Sequence, residues 1–224
     1  MDLKALFETQ AKLDADILVK HPVQDGEDRL SKKILALQVE LGECANEWRG
    51  FKFWSNRQSP TKDMYSSCSD KEAHYFLCGM CKKKITPDKA KEFDFQCDYD
   101  GNYLTGMKPK NPLLEEYVDC LHFILSIGLD IGLDDISDGV KDIDFGLTTI
   151  VDLFSECYTG ISEFNASVIW NGDILADKST HYWFDYTFKA FLLLGITFGF
   201  TWEQVETAYF EKNKINLKRQ ESGY

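Results

Sequence analysis

The 224-residue chain has few prolines, five in all, and four of them fall between Asn56 and Pro112. Outside that segment, long helices meet little local opposition. Cations are also scarce: 25 Lys and Arg stand against 37 Asp and Glu, a formal net charge of −12. That balance argues against a general nucleic-acid binder or an anionic membrane surface as partner, while a phosphate ligand stays open if divalent cations reverse the field locally. No apolar run is long enough to span a bilayer, since the longest, near Ala190 to Trp202, is short and rich in Gly and Thr. The N-terminus mixes charged and apolar residues, unlike a signal peptide. Internal repeats, low-complexity tracts, a Gly-rich phosphate loop and a Ser/His/Asp set are all missing. Seven cysteines, an odd number with no secretory context, point to a reducing cytoplasm.

What is present is helical periodicity on either side of an irregular segment. Ile34, Leu37, Leu41, Ala45 and Trp48 recur at offsets of three and four, the mark of one buried helix face. At about 100° per residue, Glu40, Glu43 and Glu47 lie within about 60° of one another beside that stripe. Such carboxylates either form a solvated acidic face or repel one another until a cation sits between them. Gly50 is the expected C-cap, and Phe51, Phe53 and Trp54 around Lys52 read as packing residues.

Upstream, Asp2 to about Lys20 is amphipathic, with Leu3, Leu6, Phe7, Leu13 and Ile17 on one side, and His21-Pro22 stops it. Gln10 and Asp14, one turn apart, read locally as exposed polar residues. Downstream, Leu113 to Ile131 carries an apolar stripe of Leu114, Val118, Leu121 and Leu125, with Glu116 and Asp119 on another face and His122 one turn beyond. Asp134 to Asn171 is acidic and holds a further helical pattern from Ile150 to Ile161, and His181 to Phe198 is apolar all round. In the last helix Thr201 and Gln204 fit a capping box, Trp202, Val205 and Tyr209 pack, and Lys212, Asn216 and Arg219 form a cationic, amide-bearing stripe.

Residues 56–112 lose the helical period and contain Cys68, Cys78, Cys81 and Cys97. Cys78-Gly-Met-Cys81 has the spacing of one zinc knuckle. Cys97 with either Cys68 or His74 would complete four ligands; free thiols in an irregular or small α/β insertion are the other reading. Asp98-Tyr-Asp-Gly-Asn102 imitates the start of a calcium loop but lacks its closing glutamate.

Two helices that each present a carboxylate pair, Glu40/Glu43 and Glu116/Asp119, suit octahedral Mg²⁺, which takes further ligands from water and substrate phosphates. Lys212 and Arg219 then hold phosphate oxygens that the metal leaves uncovered. This equipment fits phosphoryl or nucleotidyl transfer to water.

Five segments in order carry a family resemblance: Gln10-Ala-Lys-Leu13-Asp14; Glu40-x-x-Glu43-x-x-x-Glu47; Phe51-Lys-Phe-Trp54-Ser55; Glu116-x-x-Asp119-x-x-His122-Phe123; and the tail Tyr209-x-x-Lys212-x-x-x-Asn216-x-x-Arg219-Gln220-x-x-Gly223-Tyr224. With these the chain resembles the dimeric, all-α dUTPase family of phage and bacterial type, within the all-α nucleoside triphosphate pyrophosphohydrolases. The resemblance implies an all-α helical-bundle core over 1–55 and 113–224, and leaves the Cys-rich insertion 56–112 unexplained. It implies hydrolysis of dUTP to dUMP and pyrophosphate in a cytoplasmic homodimer whose sites draw on both subunits. Glu40, Glu43, Glu116 and Asp119 would ligate Mg²⁺, and Glu40 and Glu43 would be the catalytic carboxylates. Lys212, Asn216 and Arg219 would hold phosphates and sugar. Gln10 and Asp14 would meet the uracil edge, where the family usually has Asn at the second position. Asn46, Trp54 and His122 would line the nucleoside pocket, and Lys52 and Tyr209 belong to the matching substrate-binding segments. The alternatives are a related dNTP pyrophosphohydrolase of other or broader base range, and a helical interaction module whose insertion recruits a protein regulator.

Overall fold

The computed structural model describes residues 2–61, 64–133, 146, 149–170, 175 and 177–223. The acidic residues 134–145 and the terminal Tyr224 lie outside the described residues. The chain separates into two compact units, one of residues 1–59 and 113–224, the other Pro60–Pro112.

Among its described residues the first unit is all-α. Its helices are α1 (Leu3–Lys20), α2 (Arg29–Trp48), α4 (Pro112–Asp130), α5 (Ile150–Trp170), α6 (Lys178–Thr197) and α7 (Trp202–Glu221), with α3 (Pro87–Glu92) in the other unit. Four of these starts are fixed by side chains that accept otherwise orphaned backbone N–H groups. Asp2 accepts from Ala5, Asp28 from Ser31 and Asp177 from Thr180. Thr201 and Gln204 form the full reciprocal capping box. The stop of α2 differs from expectation. Arg49, not Gly50, takes the left-handed cap at φ 66°. Gly50 is needed for a different reason: the Trp48 ring lies so close that a Cβ there would come within 2.2 Å of it.

One continuous core joins the six helices. Leu6 and Phe7 of α1, Ile34, Leu37, Leu41 and Cys44 of α2, and Val118, Leu121 and Leu125 of α4 all belong to it. α5 packs along α6, with Gly160 at the close approach, where a Cβ would stand 2.4 Å from Thr187 Oγ1. α1 packs on α7 and α2 on α5. At the centre Tyr117 stacks on Phe191 with centroids 4.2 Å apart and donates its O–H to the Phe191 carbonyl at 3.2 Å. Phe53 and Trp54 do not join this core, contrary to the packing expectation; they are 83% and 66% exposed and meet each other edge to face. Among the described residues no helix is long and apolar enough to cross a membrane.

The second unit is a four-stranded antiparallel sheet of order β1-β4-β2-β3, from β1 (Met64–Cys68), β2 (Tyr75–Cys78), β3 (Lys84–Ile85) and β4 (Leu104–Lys110), with the short α3. Its own core consists of Phe76, Cys78, Ile85, Ala90, Cys97 and Leu104. The fold class is therefore a helical bundle with a small α/β insertion.

Gly195 on α6 shows how tightly the central layer is filled. A Cβ there would lie 2.4 Å from the Tyr117 hydroxyl oxygen, and Tyr117 is pinned by Phe191, Phe198 and Phe200. Gly195→Ala is expected to cost about 1–3 kcal/mol by overpacking. Urea denaturation should show a lowered midpoint with an unchanged slope.

Candidate active site

The stripe of α2 that buries Leu37, Leu41 and Cys44 carries Glu40 and Glu43 at its edge. Glu116 on α4 comes up against them. One carboxylate oxygen from each of Glu40, Glu43 and Glu116 lies within 4.8 Å of the other two. Glu47 is not part of that trio. Asp119, one turn beyond Glu116, accepts a salt bridge from Lys212 of α7.

Burial is the first cause of the electrostatics here, and like charge is the second. Glu40 is pushed up to about 7 by desolvation, with Asp119, Glu43 and Glu116 adding repulsion against a partial offset from Lys212. Glu116 is raised by burial, then by Asp119 and Glu43. Asp119 is raised as well, because its desolvation outweighs the Lys212 bond. A divalent cation at the trio would relieve all of this at once. The donor set, all carboxylate oxygen, fits a hard ion such as Mg²⁺ and not a soft one.

Beside the trio opens a cavity of about 960 Å³, a size suited to a nucleotide-sized ligand. Glu40, Asp119, Lys212, Asn216 and Arg219 are among its lining residues, as are Gln10, Asp14, His122, Phe123 and Ser126. Gln10, Asp14, His122 and Ser126 are joined by an ordered polar network.

That network starts from Gln10, which is 3% exposed. The Gln10 amide donates to Asp14 Oδ1 at 2.7 Å. Its oxygen is therefore the acceptor for the Tyr209 hydroxyl at 2.8 Å and for His122 Nδ1 at 2.9 Å. This puts the His122 proton on Nδ1 and makes Nε2 a buried acceptor, which has no hydrogen-bond partner among the described residues. The His122 ring also stacks on Tyr209, with centroids 4.2 Å apart. Burial, reinforced by Lys212, pulls the imidazole down to about 3 and keeps it neutral. Ser126 donates to Asp14 Oδ2 at 2.6 Å, and Lys33 sits 3.9 Å from the same oxygen while bonding Asp130 at 2.6 Å. Burial still raises the Asp14 carboxyl against these partners.

Of the residues singled out in the sequence, Gln10, Asp14, Glu40, Asp119, His122, Lys212, Asn216 and Arg219 meet at this cavity. Glu43 and Glu116 join it through Glu40, and Tyr209 lies beneath it under Gln10 and His122. Asn46, Lys52 and Trp54 are not among its lining residues. The local reading of Gln10 as an exposed residue is corrected. It continues the stripe of Leu6 and Leu13 at the helical spacing, and that position was the available signal. Ser126, one turn after His122, and Lys33 are additions that no sequence pattern marked.

The Cys-rich insertion contains a separate cluster, Cys78, Cys81, Cys97 and Asp100. Neither Cys68 nor His74 belongs to it; Cys68 on β1 pairs with Gly106 on one side of β4, while Cys78 on β2 pairs with Leu104 on the other.

The His122 ring gives a pH test. Its folded pKa of about 3 lies below the ordinary value near 6.5. Between those values the unfolded chain binds more protons, so the stability that neutral His122 contributes is complete above 6.5 and is lost as pH falls toward 3. The destabilisation caused by His122→Gln should therefore be larger at pH 7.5 than at pH 4.5 in urea denaturation; equal penalties would contradict the buried neutral ring.

No curated protein and no solved structure matches the chain. A family model described as dUTPase matches it over residues 2–99 and 104–224, nearly its whole length. The carboxylate-edged cavity thus sits in a chain that belongs to the dUTPase family.

Proposed function

We propose that this protein hydrolyses dUTP to dUMP and pyrophosphate with Mg²⁺ held at Glu40, Glu43 and Glu116, with Asp119 completing the set. One observation carries the reading: carboxylates from α2 and α4 converge within 4.8 Å at the rim of a cavity that also receives Lys212, Asn216 and Arg219 from α7. Mg²⁺ there supplies the charge neutralisation and Lewis acidity that phosphoryl transfer to water needs. The remaining work falls to side chains. Lys212 and Arg219 hold the polyanion, and Asn216 adds an amide for sugar or phosphate oxygen. Glu40 accepts a hydrogen bond from the attacking water and orients it toward phosphorus. As the new P–O bond forms, the bond joining the α- and β-phosphates breaks, pyrophosphate leaves, and the water's proton passes to solvent.

The nucleobase belongs beside Gln10, Asp14 and His122. An ionised Asp14 offers acceptors only. This edge suits the N3–H donor of uracil. It would equally accept the exocyclic amine of cytosine, so a second reading extends the substrate range to dCTP. Exposed Phe53 and Trp54, with Asn46 and Lys52, are assigned to a homodimer in which these residues meet the partner's nucleotide. Seven free cysteines support a reducing, cytoplasmic setting for this activity.

The test is pyrophosphate release from a panel of dNTPs in Mg²⁺. Turnover should be selective for dUTP, or for dUTP and dCTP on the second reading, and a chelator should abolish it. Glu43→Gln should lower the rate by about 10²-fold or more. Turnover unaffected by chelator or by this substitution would contradict the metal assignment, and the absence of any turnover would contradict the enzyme.

A further inference from the structure

The insertion holds a second cluster of metal-ligating groups, far in chemistry from the carboxylate trio and independent of the proposed reaction. Two tight turns build it. In Cys78-Gly-Met-Cys81-Lys82 the Lys82 N–H returns to the Cys78 carbonyl at 3.1 Å, and Lys82 adopts a positive φ of 60°. In Cys97-Asp-Tyr-Asp100-Gly101 the Gly101 N–H returns to the Cys97 carbonyl at 2.9 Å, and Gly101 adopts φ 69°. The turns repeat each other, and Asp100 stands where the second would have its second cysteine. Sequence reasoning that looked only for Cys-x-x-Cys missed this Cys-x-x-Asp partner.

The four ligand atoms lie within 4.8 Å of one another. Cys81 Sγ is 3.6 Å from Cys97 Sγ, and Cys78 Sγ is 3.3 Å from Asp100 Oδ2. Thiolates bound tetrahedrally at about 2.3 Å stand about 3.8 Å apart, so the cluster already has nearly the edge length of a zinc tetrahedron. Backbone amides reinforce it: those of Met80 and Cys81 bond the Cys78 sulfur, and that of Lys83 bonds Cys81. Among the described residues, Cys78 and Cys97 are two of the six buried apolar residues in the core of this unit. A core that small ordinarily needs a staple.

We propose that Cys78, Cys81, Cys97 and Asp100 bind one structural Zn²⁺ that ties the loop after β2 to the loop before β4. Zinc displaces the thiol protons to solvent and closes all four positions, leaving none for catalysis. Lys82, Lys83 and Lys84 lie beside a site that would carry excess negative charge, and Lys83 is fixed against Asp98 at 2.7 Å.

The experiment uses the full chain, kept reduced and dialysed against a chelator that removes carboxylate-bound Mg²⁺. Elemental analysis should find one zinc per chain. After zinc removal, Co²⁺ should produce thiolate-to-metal charge-transfer absorption, which the all-oxygen trio cannot give. Cys81→Ser and Cys97→Ser should each lose that band while far-UV circular dichroism still reports the helical bundle. Asp100→Cys should keep the metal and strengthen the band. Asp100→Ala should weaken binding at least about tenfold, since even outer-shell losses cost that much. The proposal is overturned by reduced wild-type protein with neither zinc nor a cobalt–thiolate band, by a Cys81–Cys97 disulfide in its place, or by Asp100→Ala binding metal as tightly as wild type.

Discussion

The structure of the bundle is organised around an unfavourable arrangement: Glu40, Glu43 and Glu116 are brought together at the edge of a continuous apolar core. Packing enforces it. Leu37, Leu41 and Cys44 fix one face of α2 inward, and Val118 and Leu121 do the same for α4, which sets the carboxylates beside those stripes at one shared edge. Desolvation, and after it repulsion, then pushes Glu40 up to about 7. Folding stability drawn from the apolar faces sustains the conflict, and a cation resolves it. Sites where a fold keeps local interactions in conflict are where function is expected to sit.

The cavity extends the same logic by dividing its labour. Lys212 is anchored by its ion pair with Asp119, and its charge adds to burial in keeping His122 neutral. Gln10 ties α1 to α4 and α7 through His122 and Tyr209, which makes the base-facing wall a shared product of three helices. A polar network tied together by these hydrogen bonds holds the wall's donors and acceptors in fixed positions.

Much of this was legible in the sequence because helical periodicity is a local property. The stripes on α2 and α4, the cap at Thr201 and the stop at His21-Pro22 all follow from residues a few positions apart. What escaped depends on distant partners. Gln10 looked exposed because the groups covering it lie 112 and 199 positions away. Gly50 looked like a helix cap because sequence alone cannot show the Trp48 ring resting on it. Phe53 and Trp54 looked like core because aromatics usually are, and here they stay exposed. In the insertion, pairing Cys97 with Cys68 failed because the sheet order, invisible in the sequence, puts β4 between Cys68 and Cys78.

The central claim is that the carboxylate trio is a divalent-cation site. Calorimetric titration of metal-free protein with Mg²⁺ in the absence of nucleotide, for wild type and for Glu116→Gln, tests it most directly. Wild type should bind Mg²⁺ saturably at neutral pH, and Glu116→Gln, on the second of the two converging helices, should weaken that binding strongly. Binding that is absent from wild type, or unchanged by that substitution, would contradict it.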